Sequence, residues 1–128
     1  MPSTEDTISR STHVTRAQPL EIVTTVPAQL LGAVMVVRLV GELDLSNATA
    51  VQDQLADLLA YRPTADVVLD LSGLSFMDCS GLRVLLEMRR MLTVGRRRLS
   101  LRGTRPGVQM LLRVARHEDL LDGTTPPS

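Results

Sequence analysis

The 128-residue sequence contains no tryptophan and no lysine, and only one cysteine, one phenylalanine and one tyrosine. With Phe76 and Tyr61 as its only rings, the chain must build its core from Leu and Val. The same shortage argues against a binder of single-stranded nucleic acid, which stacks bases on aromatic side chains. A lone cysteine, Cys79, excludes an internal disulfide and points to a reducing compartment. No apolar run reaches the ~18 residues of a membrane span. The start, Met1-Pro2-Ser3-Thr4-Glu5-Asp6, has neither the basic residues nor the apolar stretch of a secretory signal. The expectation is a soluble, cytoplasmic protein without a membrane partner. All fourteen basic residues are Arg, which reads as GC-rich coding but also supplies the better partner for carboxylates and phosphates.

A hydrophobic fraction of 44% supports a real core, and the length suits one domain of the usual ~100–150 residues. Residues 1–18, rich in Ser and Thr and without apolar periodicity, read as a disordered arm. Residues 123–128, Gly-Thr-Thr-Pro-Pro-Ser, read as a flexible tail, which leaves a folded domain over 19–122. Within it, Leu20 to Val26 predicts a strand stopped by Pro27. Ala33 to Val40 predicts a stronger strand, ended by Gly41. Ala48, Val51, Leu55, Leu58 and Leu59 then recur at helical spacing, with Ser46 or Asn47 as the cap. Ala65 to Leu71 predicts a strand closed by a turn at Ser72-Gly73. A second helix follows from near Ser80 to about Thr93, stopped by Gly95. Leu99 to Arg102 is a short strand, and Pro106 opens a third helix striped by Val108, Leu111, Leu112 and Ala115. A brief final strand is expected near Leu120. This alternation predicts an α/β fold, a mixed or parallel sheet of four to five strands packed with three or four helices.

Charge is unevenly spread. Leu20 to Ser80 holds eight acidic residues and two arginines, whereas Arg83 to Arg116 holds ten arginines and one glutamate. Arg96, Arg97 and Arg98 either solvate a loop or belong to a basic face for an acidic protein, a phosphate or a membrane surface. Catalytic constellations are missing. His13 and His117 lie near opposite ends, no Cys or His is spaced for a metal, and there is no phosphate loop or nucleophile elbow. A non-enzymatic protein with no cofactor is expected.

One segment carries more information. Leu69 to Leu82, Leu-Asp-Leu-Ser-Gly-Leu-Ser-Phe-Met-Asp-Cys-Ser-Gly-Leu, leaves a strand, crosses a short loop and enters a helix. Asp78, Cys79 and Ser80 then sit at a helix N-terminus, where free N–H groups and the dipole favour negative charge. Capping by Asp78 or Ser80 is expected, but it leaves Phe76 and Met77, placed next to the surface, unexplained.

The run from Asp70 to Leu82 resembles the signature of STAS domains, specifically the single-domain anti-sigma factor antagonists. Val37 to Asp44, ending Gly-Glu-Leu-Asp, resembles their second block, and the two motif aspartates lie 34 residues apart. The resemblance covers roughly residues 20–121 and implies a STAS-like fold. It implies an antagonist that binds an anti-sigma factor, a serine kinase with an ATP-binding fold, and so releases a sigma factor. The kinase ends the complex by phosphorylating a serine just after the motif Asp, and a phosphatase restores it. Carried over, the motif Asp is Asp78, and the acceptor position falls on Cys79, a departure from the family pattern. Three readings are open: an inert or lost switch, transfer to Ser80, or a redox-responsive Cys79. Asp44, Asp78, Cys79, Ser80 and Gly81, with Val84 and Met88 on the following helix, form the expected partner surface of a monomer or weak dimer. Val84, Met88 and Met91 form a second apolar stripe, which either packs under a neighbouring helix or docks the partner. The rival readings are a STAS subunit of a lipid-exporting ABC system, and a nucleotide sensor that uses Arg96 to Arg105.

Overall fold

The computed structural model describes the backbone of residues 7–14, 20–27 and 34–122, and the side chains of residues 20–22 and 34–121. Five strands form one sheet in sequence order: β1 (Thr7–Val14), β2 (Leu20–Pro27), β3 (Val34–Leu43), β4 (Asp66–Met77) and β5 (Leu99–Arg102). β1 and β2 pair antiparallel, as do β2 and β3, while β3, β4 and β5 run parallel. The stretch expected to be an arm therefore carries a strand. β-branched Thr7, Ile8, Thr12 and Val14 suit it, and full-length backbone pairing with β2 holds it without apolar alternation. The rest of that arm and the 123–128 tail lie outside the described residues.

Two crossovers connect the parallel strands, through α1 (Ala48–Tyr61) and α2 (Cys79–Val94). Right-handed crossovers that proceed in one direction across a sheet place both helices on the same face, and α1 packs on α2. That face holds the core. Met35, Val37 and Leu39 of β3, Val67, Leu69 and Leu71 of β4, and Leu99 and Leu101 of β5 are all buried, alternating along each strand. α3 (Pro106–Val114) adds Val108 and Leu112 to the same core. The expected final strand is instead a 3₁₀ turn, Glu118–Asp122, with Leu120 buried. A two-leucine pair flanked by acids can anchor one side chain but is too short for a ladder.

Two glycines read as strand ends lie inside strands. β3 continues through Gly41 to Leu43, and β4 through Ser72-Gly73 to Met77. The β3–β4 register shifts between Arg38 and Val40 and again after Gly41, where φ is +121°. A Cβ on Gly73 would stand 3.0 Å from Val40 Cγ2 and 3.2 Å from Leu39 O. Both glycines thus serve a bulge, the use glycine has inside a strand. After the bulge Leu43, Leu74 and Met77 face inward.

Candidate functional site

β3 and β4 end side by side, with Leu43 opposite Met77. Each strand releases one aspartate and then a helix, so the two motifs of the sequence meet at one edge. At the first turn the Asp44 carboxylate accepts from Ser46 N (2.9 Å) and Ser46 Oγ (2.6 Å). Asn47 is buried; its Nδ2 donates to Glu42 O (2.7 Å), and its Oδ1 accepts from Asp44 N (3.0 Å). Asn47 occupies the cap position of α1, but its side chain braces the preceding turn and makes no cap bond. Neither Ser46 nor Asn47 is the side-chain cap that the sequence suggests.

At the second turn Asp78 caps α2, its Oδ1 accepting from Ser80 N (2.8 Å) and Gly81 N (3.2 Å). Asp78 N donates to Leu43 O at 3.3 Å, which ties the two turns together. Cys79 is exposed in the first turn of α2, and Ser80 is half-buried beside it. Gly81 is buried, and a Cβ there would overlap Met77 Cγ and stand 2.9 Å from Leu43 Cγ. Its absent side chain lets α2 start directly on the strand ends.

Between the starts of α1 and α2 lies a groove of about 140 Å³, lined by Leu45, Ala48, Thr49, Gln52, Ser80, Arg83 and Val84. Leu45 stands 79% exposed at the mouth. This groove was not legible as such, although an apolar residue in the polar turn Asp44-Leu45-Ser46 is a signal for it. No group of three or more His, Cys, Asp or Glu able to hold a metal occurs among the described residues.

Residues 25–127 match the sequence profile of the STAS domain. The chain belongs to the STAS domain family. The anti-sigma F factor antagonist of Paenibacillus polymyxa is 43% identical over 53 residues, 41% of this chain and 45% of that protein. The match thus spans less than half of that relative's length. Among solved structures, the unphosphorylated form of the anti-sigma factor antagonist SpoIIAA has a TM-score of 0.61 at 21% identity, over 88% of this chain and 84% of that one. The phosphorylated form of SpoIIAA, a Bacillus cell fate determinant, has a TM-score of 0.56 at 20% identity, over 91% and 87%. At these identities the likeness is one of fold, a STAS fold that agrees with the sequence reading.

Within this STAS domain the expected partner residues separate into two groups. Asp44, Asp78, Cys79 and Ser80 gather at the strand ends with at least part of their surface open. Gly81, Val84 and Met88 are buried, the last two at 1% and 0% exposure, so they offer no docking surface. The reason is that α1 covers the flank of α2 that the sheet leaves free, with Val84 at the floor of the α1–α2 groove. Met77 is likewise buried, while Phe76 is half-exposed.

Of the arginines weighed as loop solvation, as a basic face or as a nucleotide site, Arg97, Arg102 and Arg105 have partners within the domain. Arg97 turns inward, donating from Nε to Ala65 O (2.5 Å), Nη1 to Leu59 O (3.0 Å) and Nη2 to Arg62 O (2.8 Å). Burial pulls its pKa below the usual value, with the Asp66 carboxylate opposing. Arg102 pairs with Asp70 at 3.3 Å, and Arg105 Nε donates to Ser72 O at 3.0 Å. These side chains point to separate partners and do not converge on one anion.

Proposed function

We propose that this STAS domain is an anti-sigma factor antagonist. It binds an anti-sigma factor of the serine-kinase type over the Asp44 and Asp78 turns and thereby frees a sigma factor for transcription. It acts by binding, not catalysis. The observation that carries this reading is the meeting of both motifs at one edge, where the Asp78-capped start of α2 stands beside the Asp44 turn and the Leu45-rimmed groove. The P. polymyxa relative's description as an antagonist supports it.

The site also suits a switch acting on the interface. A phosphate at this helix N-terminus adds about −1.5 to −2 charge where anions are tolerated, so the fold survives while a docked partner is repelled. Cys79 removes the hydroxyl at the family's acceptor position, and Ser80 supplies the neighbouring one. We expect no phosphate on the wild type from the cognate kinase with Mg-ATP, and transfer restored by Cys79→Ser. Phosphate on the wild type that disappears in Ser80→Ala identifies Ser80 as the acceptor. Phosphate that survives Ser80→Ala places the acceptor outside the turn.

Binding is tested with purified kinase-type anti-sigma factors of the source cell. Asp78→Arg and Asp44→Arg each invert a charge in the contact, where like-charge juxtaposition costs several kcal/mol, and binding is expected to be lost. Affinity unchanged in both variants refutes this assignment of the surface.

A further inference from the structure

A second concavity lies where the end of β4 meets the start of α3. It measures about 150 Å³ and is lined by Ser75, Phe76, Met77, Arg105, Gly107 and Val108. Small-molecule sites run to ~300–1,000 Å³, so this one fits a single side chain better than a nucleotide. Phe76 at its edge is 48% exposed. Along α3, Met110 follows Gly107 by three residues and Val114 follows Met110 by four, which puts all three on one helix face. Met110 and Val114 are 60% and 73% exposed. An apolar strip therefore runs from Phe76 across the cavity to Val114.

No packing contact requires Gly107 to lack a side chain. It lies inside α3 without a left-handed φ, and a Cβ built on it meets nothing within 4 Å. A glycine that neither backbone nor packing requires suits the close approach of another molecule's backbone. α3 itself carries no carboxylate, while Glu42 pairs with Phe76 across β3 and β4 and the acidic turn Glu118–Asp122 packs against the helix. The sequence has no acidic residue between Glu87 and Glu118, and Arg105, Arg113 and Arg116 are exposed.

We propose that this strip docks an acidic amphipathic helix of a partner protein. One apolar side chain of that helix enters the cavity beside Phe76, its backbone passes over Gly107, and its carboxylates face Arg105, Arg113 and Arg116. A cavity of side-chain size beside a bare helix backbone favours a protein segment over a lipid surface, which presents no single projecting side chain. The proposal goes beyond antagonism and does not depend on it.

The test titrates the full isotope-labelled chain with a stapled helical peptide of about five turns, leucines at i, i+3, i+4 and i+7 and glutamate elsewhere. A leucine/lysine counterpart and phosphatidylglycerol vesicles are run in parallel. Amide shifts from the acidic peptide are expected around Phe76, Gly107, Met110 and Val114. Gly107→Glu and Met110→Glu are each expected to weaken binding by about tenfold or more through like-charge contact. Gly107→Glu enters open space, and a thermal melt confirms that the fold persists. The proposal is overturned if the acidic peptide does not bind or shifts other residues, if the lysine peptide binds equally, if both variants bind as wild type, or if vesicles and not the peptide occupy the strip. None of these outcomes alters the Asp78→Arg result, so the two readings fail separately.

Discussion

Asp78 combines a structural and an interfacial role, because its Oδ1 accepts from Ser80 and Gly81 N–H groups while its chain neighbour Cys79 is exposed. Loss of a side-chain cap costs ~1 kcal/mol, so Asp78→Ala is expected to lower the melting temperature by a few degrees and leave circular dichroism native. Gly81 behaves differently. A methyl there collides with Met77 and with Leu43, whose carbonyl oxygen also lies 3.0 Å away. Gly81→Ala is expected to destabilise by ~1–3 kcal/mol, the usual range for overpacking, and to shift the amide resonances of Asp78 to Leu82. A melt within about 1 °C of wild type, against the ~4 °C or more that 1 kcal/mol produces in a domain this size, contradicts the close-packing argument. The residue types of this turn are legible from the sequence; the burial of Gly81 is not, because it depends on Leu43 arriving from another strand.

α2 and α3 end alike. In α2, Arg96 takes φ +59° while Arg97 N donates to Leu92 O (2.7 Å) and Arg96 N to Thr93 O (2.9 Å). In α3, Arg116 takes φ +64°, with His117 N donating to Leu112 O (2.7 Å) and Arg116 N to Arg113 O (3.0 Å). Both are Schellman closures with arginine in the left-handed position usually given to glycine. Gly95, the residue that the sequence marks as the stop, sits one position earlier at φ −87°. A left-handed non-glycine residue costs ~1–2 kcal/mol, partly offset by the entropy glycine adds to the unfolded chain. Arg96→Gly is therefore expected to stabilise by roughly 0.5–1 kcal/mol in chemical denaturation. Arg97→Lys is expected to act oppositely, because one ammonium cannot reproduce three forked bonds to the end of α1 and the start of β4. A loss of ~2–3 kcal/mol is expected, and a neutral result would show that the three carbonyls find water instead.

Across the whole molecule, one sheet face is packed and the other is partly open. On the open face Arg38, Asp70 and Arg102 align in register across β3, β4 and β5. Burial raises the Asp70 pKa, but the hydrogen bonds from Ser72 and the Arg102 guanidinium outweigh it and hold it below its ordinary value. A carboxylate depressed on folding stabilises the protein above its unfolded pKa of about 4, and the contribution fades as pH falls through the folded value. Asp70→Asn is expected to lower the melting temperature at pH 7, with the gap to wild type closing as pH drops below about 4. A gap independent of pH would mean that the substitution removes packing rather than charge. From composition and spacing alone the chain determines an α/β domain with a Leu and Val core and two crossover helices, because helical and strand periodicities are local properties. Only the tertiary structure decides that Gly41 and Gly73 lie in a bulge, that Val84 and Met88 are sealed under α1, and that Arg97 serves the core instead of an anion. Each of those outcomes depends on an atom supplied by a distant part of the chain, and nothing within one helix or one strand encodes where that atom arrives.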